Sequence, residues 1–208
     1  MVTTARTTRS EPNSDRREQI LAIATRLIAS RGYSATTVRD IADEAGILSG
    51  SLYHHFSSKE AMLQEILRGF MGRLLESFEA ISAEAGNPRD TLDRLVEHAF
   101  TTIVSEPDAV GLYQNESSFL ATQPGFEFVG EASARIESIW LGQIREGQRL
   151  GVFRQGIDAP VAYRFIRDSV WSTVRWFHPG GRHTAESLAE TYLDLLHNGF
   201  LIRRDASA

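Results

Sequence analysis

The sequence contains no cysteine, which excludes disulfide bonds and thiolate-based metal or redox chemistry. It also lacks any uninterrupted apolar run approaching the roughly 18–20 residues that are needed to cross a bilayer. Its first residues, MVTTARTTRSEPNS, have no apolar segment of the kind found in a secretory signal peptide. We therefore expect a cytoplasmic protein with no membrane partner.

Basic charge is scarce, since the formal net charge is −5 at pH 7. The deficit is uneven, because residues 1–59 carry eight Lys or Arg against six Asp or Glu, whereas the remainder carries fourteen against twenty-one. A local basic face is enough for phosphate contacts, so the total charge does not exclude DNA binding by the first part of the chain.

The sequence also lacks the usual signs of catalysis. It shows no nucleophile placed with a base, no paired-carboxylate motif and no glycine-rich loop that opens a helix. Gly180 and Gly181 follow a helical segment and predict a C-terminal turn. An enzyme on a helical scaffold is the alternative from another functional class, but we predict no catalytic residue and no cofactor.

What the sequence does contain is one helical segment after another. Apolar residues recur at three- and four-residue spacings between capping residues, prolines and glycines. Ser14 and Asp15 can cap the first helix, and Ser57-x-x-Glu60 matches a capping box that opens a long one. We predict an all-α fold with about nine helices. Residues 1–14 are polar and predict a disordered arm, either solvated or inserted into a DNA minor groove.

Residues 37–60 have the pattern of a helix-turn-helix. Thr37-x-x-Asp40 opens a short helix that stops at Gly46, and another short helix runs over about 48–56. In such a motif the later helix enters the major groove with its N-terminal residues leading. The small residues at 49–51 allow a close approach of this helix to DNA.

The end of this motif is polar and aromatic. Tyr53 and His54 can reach phosphates, and Lys59 lies in the first turn of the next helix, where free N–H groups also favour an anion. The alternative for His54 and His55 is a metal site. Adjacent side chains on a helix point about 100° apart, so this pair does not form the i,i+4 arrangement that zinc needs. We predict no metal and favour DNA.

The stretch TTVRDIADEAGILSGSLYHHFSSKEAML, residues 36–63, resembles the TetR family of bacterial regulators. The resemblance implies a DNA-binding domain over 15–60, a ligand-binding and dimerisation domain over 61–208, and a homodimer on an inverted-repeat operator of double-stranded DNA. Leu48 departs from the family, which usually has a capping serine there. The resemblance implies DNA contacts by Thr36, Thr37, Arg39, Ser49, Ser51, Leu52, Tyr53, His54 and Lys59, and the close approach of the short helix adds Gly50.

The stretch VAYRFIRDSVWSTVRWFHPGG, residues 161–181, is the most informative part of the second domain. Tyr163, Arg167 and Trp171 fall on one helix face at four-residue spacing. A guanidinium among aromatic residues needs an anionic partner, because burying it unpaired costs several kcal/mol. Two alternatives follow: a salt bridge at a dimer interface, or a clamp in which Arg167 holds the polar end of an effector while Trp171 stacks on its flat body.

This stretch and LRGF at 67–70 are similar to a narrower group within the family, the actinobacterial repressors of late cholesterol-ring degradation. That resemblance implies release from DNA by a coenzyme A thioester of a steroid-ring intermediate, with Arg167 and Trp171 as ligand contacts. A repressor of fatty-acid or drug-efflux genes with another lipophilic effector is the alternative. The further candidates for ligand contact are Tyr163, Arg164, Trp140, Tyr113 and Phe119.

Overall fold

The structure is a computed structural model that describes residues 12–84, 86–120, 122–178 and 180–199. Within these residues it contains nine α-helices, one 3₁₀ turn and no strand, which confirms the predicted all-α fold. The helices are α1 Pro12–Arg31, α2 Val38–Glu44, α3 Ser49–Leu52, α4 Lys59–Ala83, α5 Pro88–Ser105, α6 Pro107–Leu120, α7 Glu127–Arg149, α8 Ala159–Trp171 and α9 Ala185–Asn198. The 3₁₀ turn, Ser172–Arg175, follows α8 directly.

Several helix starts lie where the sequence predicts them. Thr37 forms a capping box with Asp40, in which the threonine hydroxyl accepts from the Asp40 N–H and the carboxylate accepts from the Thr37 N–H. Asn87, Asp158 and Thr184 cap α5, α8 and α9 with their side chains. These polar side chains satisfy backbone N–H groups that a helix start otherwise leaves without a partner.

Three boundaries differ from the prediction. Helix α1 begins at Pro12, so the last residues of the predicted 1–14 arm are helical and Ser14 and Asp15 lie inside the helix; residues 1–11 lie outside the described residues. The cap of α4 is Ser58, whose hydroxyl accepts from the Ala61 N–H, one residue later than predicted. Helix α3 ends at Leu52 and continues as a turn, because the chain has to reach the cap of α4 within a few residues.

The described helices pack around three apolar clusters. The first joins α1, α2, α3 and the start of α4 into a head around Ile20, Ile41 and Leu52. The second, around Ile28, Leu63 and Leu112, joins that head to α6. The third is the core of the body, formed by the later part of α4 with α5, α7, α8 and α9. Helix α4 contributes to all three clusters and therefore connects the head to the body. Among the described helices, none combines the length and apolarity that crossing a membrane requires.

Candidate functional sites

The outer surface of the head is formed by α3 and the turn that follows it. Leu52 and Phe56 are buried and fix this segment on the core of the head. Their neighbours face outward: Tyr53 is 55% exposed, and His54 and Gly50 are also exposed. The segment therefore presents a narrow ridge of small and polar side chains, which is the shape that fits a DNA groove.

Two of the residues predicted to contact DNA have buried side chains. Thr36 has no exposed surface, and its hydroxyl donates to the Gly32 carbonyl at 2.9 Å and the Leu27 carbonyl at 3.3 Å. Leu52 is also completely buried, because its side chain is what anchors α3. Both side chains therefore lie beneath the surface that α3 and the following turn present.

Lys59, another predicted DNA contact, makes hydrogen bonds within the head. Its ammonium donates to the Tyr33 carbonyl at 2.7 Å and to the Thr36 carbonyl at 2.6 Å, and it lies 4.1 Å from the centre of the Tyr33 ring. Burial lowers the pKa of Lys59, and the carboxylates of Asp40 and Glu116 oppose that shift. The ammonium therefore joins the first residue of α4 to the loop before α2.

The other predicted residues have accessible side chains. Thr37, Ser49 and Ser51 are exposed or half-buried. Arg39 is exposed and only loosely paired with Asp43, at 3.7 Å. A residue that the prediction left out is Leu48, which precedes α3, makes no side-chain capping bond and is 80% exposed.

A cavity of about 300 Å³ lies in the body between α6, α7 and α8. It brings together four of the seven predicted ligand residues. Its polar and apolar walls are mixed, since serines and carboxylates alternate with aromatic and aliphatic groups. The lining residues are Leu74, Tyr113, Gln114, Ser117, Ser118, Ser133, Ile136, Glu137, Tyr163, Arg167, Asp168 and Trp171.

Arg167 provides the one cationic side chain among the described lining residues. Its Nε donates to the Asp168 carboxylate at 2.7 Å, and its guanidinium carbon lies 5.6 Å from the centre of the Tyr163 ring. The side chain is 42% exposed. Arg167 thus has an anionic partner within its own chain and access to solvent, and because it lines the cavity its remaining N–H groups are available to an anionic or carbonyl group.

Beside Arg167 the cavity walls consist of buried aromatic and hydrogen-bonded side chains. Burial raises the pKa of Tyr163 to about 12, so its hydroxyl stays protonated at neutral pH. The Tyr113 and Ser133 hydroxyls are 2.9 Å apart and join α6 to α7. Trp171 is 8% exposed and offers a flat apolar surface. The cavity can thus bind an apolar body against an aromatic wall and hydrogen-bond its polar end.

Three predicted ligand residues lie elsewhere. Trp140 is core, with its ring edge-on to Phe78 at 5.7 Å. Phe119 is 52% exposed on the outer side of α6. Arg164 is exposed on α8, on a face that does not line the described cavity. The aromatic and basic character of these residues suggested ligand binding, but helix phase places them away from the cavity.

Sequence reasoning missed the polar half of this cavity. Gln114 and Ser117 on α6, Ser133 and Glu137 on α7, and Asp168 all line it. The available signal was the spacing of three and four residues between polar side chains within otherwise apolar helices. That signal does not say which helices face one another, so the site could not be assembled from it.

The outer faces of α8 and α9 are unusually apolar for an exposed surface. Phe165 is 73% exposed, and Val161, Leu195 and Leu196 are between 38% and 46% exposed. Leu188, in the first half of α9, is by contrast part of the core of the body. An apolar surface of this kind is typical of a protein–protein interface.

The chain matches two family models. Residues 20–66 match the model for bacterial regulatory proteins of the tetR family, and residues 85–200 match the model for the tetracyclin repressor-like C-terminal domain. Among curated proteins it is similar to the HTH-type transcriptional repressor KstR2 of Rhodococcus jostii, with 45% identity over 186 residues that cover 89% of this chain and 91% of that protein.

Solved structures give a similar result. The structure of the ketosteroid transcriptional regulator KstR2 of Mycobacterium tuberculosis superposes with a TM-score of 0.86 at 41% identity, covering 90% of this chain and 96% of the other. The structure of AibR in complex with isovaleryl coenzyme A and operator DNA superposes with a TM-score of 0.79 at 25% identity, covering 89% of this chain and 100% of the other.

Proposed function

Because this chain belongs to the TetR family of bacterial regulatory proteins, we propose that it is a homodimeric repressor of steroid-ring degradation genes whose effector is a coenzyme A thioester. The similarity to KstR2 over 89% of the chain supports the choice of genes. The observation that carries the effector is that Arg167, Trp171, Tyr163 and Tyr113 line one cavity.

The head over residues 15–60 is proposed to bind DNA through the ridge formed by α3 and the following turn. Ser49, Gly50 and Ser51 let the helix approach the base edges, while Tyr53 and His54 contact the flanking phosphates. Arg39 and Thr37 add phosphate contacts from the start of α2. Two heads of a dimer then read two half-sites that lie about one helical turn, ~34–36 Å, or a multiple of it apart.

The dimer is proposed to form through the exposed apolar faces of α8 and α9. Phe165 and Leu195 are too exposed to contribute to the core of their own chain. Burying such a face against its copy gains roughly 25 cal/mol for each Å² of apolar surface removed from water. Binding to an inverted repeat requires that such a two-fold symmetric dimer present both heads on the same side.

The effector is proposed to place its ring body against Trp171 and its carbonyl end beside Arg167. The cavity holds about 300 Å³, which suits a fused-ring acid, whereas a complete coenzyme A thioester is larger. The pantetheine and nucleotide parts therefore leave through the solvent-accessible side, where Arg167 is partly exposed. The carboxylates of Glu137 and Asp168 disfavour a second anionic group deep in the cavity.

Release from the operator requires that the effector favour a head spacing that does not fit DNA. Shifting such an equilibrium from 1:99 to 99:1 takes about 5.5 kcal/mol of differential binding. By linkage, the effector then binds the free protein more tightly than the DNA-bound protein. A thioester with equal affinity for both forms contradicts this mechanism.

The test is to bind fragmented actinobacterial genomic DNA to the purified protein and to elute it with a steroid-ring propionyl-coenzyme A. We expect the eluted fragments to share an inverted repeat beside steroid-degradation genes. A matched elution with the free steroid acid should release far less DNA. If fragments bind but are not released by the thioester, the assignment as a DNA-binding regulator stands and the steroid effector is refuted. The alternative, a repressor of fatty-acid or efflux genes, is then favoured.

A further inference from the structure

Helix α6 faces the proposed effector cavity on one side and the head on the other. Tyr113, Gln114 and Ser117 line the cavity. Glu116, which directly precedes Ser117, points the other way: its Oε1 accepts a hydrogen bond of 2.8 Å from the backbone N–H of Tyr33 in the head. A single turn of helix thus contacts both sites.

The bond from Tyr33 to Glu116 completes the C-terminal end of α1. Gly32 has a φ of +87°, the left-handed conformation that ends a helix, and its N–H bonds back to the Ile28 carbonyl. In the common Schellman ending, the next N–H along the chain also bonds back to the helix. Here that N–H bonds to a carboxylate 83 residues away, so the end of α1 depends on the position of α6.

The contact is close and reinforced on both sides. A side chain at Gly32 would place its Cβ 3.6 Å from the Glu116 Oε1, so the carboxylate lies directly against this turn. The Asn115 amide donates to the Ala29 carbonyl at 3.4 Å. Leu112 of α6 is fully buried against Ile28 in the cluster that joins head and body.

From Tyr33 the contacts continue to the DNA-binding surface. The Tyr33 carbonyl accepts from the Lys59 ammonium, which also donates to the Thr36 carbonyl. Thr36 immediately precedes Thr37, the residue that caps α2. Three hydrogen bonds and the peptide bond between Thr36 and Thr37 therefore connect Glu116 to the residue that caps α2.

We propose that Glu116 is the positioning residue that couples occupancy of the effector cavity to the orientation of the head. This proposal rests on the proposed function, because it assigns the regulation of the same cavity. An effector that displaces Tyr113 or Ser117 rotates or shifts α6, which moves the carboxylate away from the Tyr33 N–H. The end of α1 and the loop before α2 then lose their fixed position.

The experiment compares the variants Glu116→Ala and Glu116→Gln. The control is Glu131→Ala, which removes one carboxylate from an exposed position of α7. Each is tested with operator fragments recovered from genomic DNA, and amide hydrogen exchange is measured with and without that DNA. In the wild type we expect DNA to slow exchange in residues 113–118 on the order of 5-fold, since coupling between linked sites is typically 5- to 150-fold. Glu116→Ala should lose this effect, whereas Glu116→Gln, which keeps an acceptor oxygen, and Glu131→Ala should retain it.

The effector provides a second measurement. The ratio of dissociation constants for a steroid-ring propionyl-coenzyme A, with DNA over without DNA, should fall toward one in Glu116→Ala. A purely structural role for Glu116 would lower the melting temperature and leave both the exchange effect and this ratio unchanged, which would overturn the proposal. A wild-type protein that binds no DNA fragment at all would instead refute the proposed function, and the two failures are therefore distinguishable.

Discussion

The head and the cavity differ in whether the same residues stabilise the fold and face a binding partner. In the head, residues that hold the fold alternate with residues that face outward, so that Leu52 is fully buried while its neighbour Tyr53 is 55% exposed. In the cavity the same side chains do both, because Tyr163 and Trp171 line the cavity and also belong to the core of the body. Substitutions can therefore separate binding from stability in the head, whereas in the cavity this is possible at polar lining residues such as Arg167 and not at the aromatic ones.

The largest effect that tests this comparison is expected for the neighbouring pair in the head. Leu52→Ala removes a fully buried side chain and should lower the free energy of unfolding by about 2–5 kcal/mol. Tyr53→Ala should change it by about 0.5 kcal/mol or less and instead weaken DNA binding. Urea unfolding and fluorescence anisotropy with operator DNA measure the two quantities. Equal loss of stability in both variants would show that the head does not use separate residues for stabilising the fold and for binding DNA.

The next effect concerns the cavity. Arg167→Ala should weaken binding of the thioester by about 1.5–3 kcal/mol, because the effector then loses the hydrogen bond that the charged guanidinium donates to it. Arg164→Ala is the matched control, since it removes the same group from the same helix on a face outside the cavity. Isothermal titration measures both affinities, and unfolding curves check that each variant is folded. Similar losses in the two variants would point to long-range charge and not to a contact.

A smaller effect should appear when the pH is lowered. Burial lowers the pKa of His98, whose ring lies edge-on to Phe78 at 5.6 Å. In the unfolded chain the imidazole takes up a proton near its ordinary pKa of 6.5, while the folded protein resists protonation. Protonation therefore favours unfolding, and stability should fall as the pH drops below 6.5 toward the pKa of the folded state.

His98→Gln should lose less stability than the wild type over that pH range, as measured by urea unfolding at pH 7 and pH 5. His178→Gln, at an exposed position, controls for the loss of an imidazole. The expected consequence is that acid weakens the body more than the head. An unchanged pH profile in His98→Gln would assign the acid sensitivity to another group.

The smallest effect is expected at the start of α3. Leu48 occupies the N-cap position without a side-chain capping bond and is 80% exposed. Leu48→Ser supplies a capping hydroxyl and removes little packing, so it should raise the free energy of unfolding by about 0.5–1 kcal/mol. Thermal unfolding measures the change. A loss of stability would mean that the leucine packs on the head despite its exposure.

The fold was largely predictable because its signals are local. The capping box at Thr37 and Asp40 and the prolines near helix starts lie within a few residues of the boundaries that they set. Periodicity also identified which face of α8 carries Tyr163, Arg167 and Trp171. The observed boundaries differ from the predicted ones where tertiary contacts determine the course of the chain. Helix α3, for example, ends early because the chain has to reach the start of α4.

The sites were predictable only in part, since their geometry depends on contacts distant in sequence. The sequence shows that Lys59 is basic and near a helix start, but not that two carbonyls from the loop before α2 hold its ammonium. Likewise, Glu116 has no distinguishing feature in the sequence. Its importance depends on a bond across 83 residues, which local patterns do not encode.

The position of Lys59 has a chemical consequence. Because it is the single lysine in the sequence, an amine-selective reagent has one side-chain target in the whole chain. Acylation of that nitrogen would remove its charge and cost the two carbonyl contacts that tie α4 to the loop before α2. We expect the modification rate of Lys59 to rise when the loop before α2 moves away from α4, so this rate can be used to follow that movement in the intact protein.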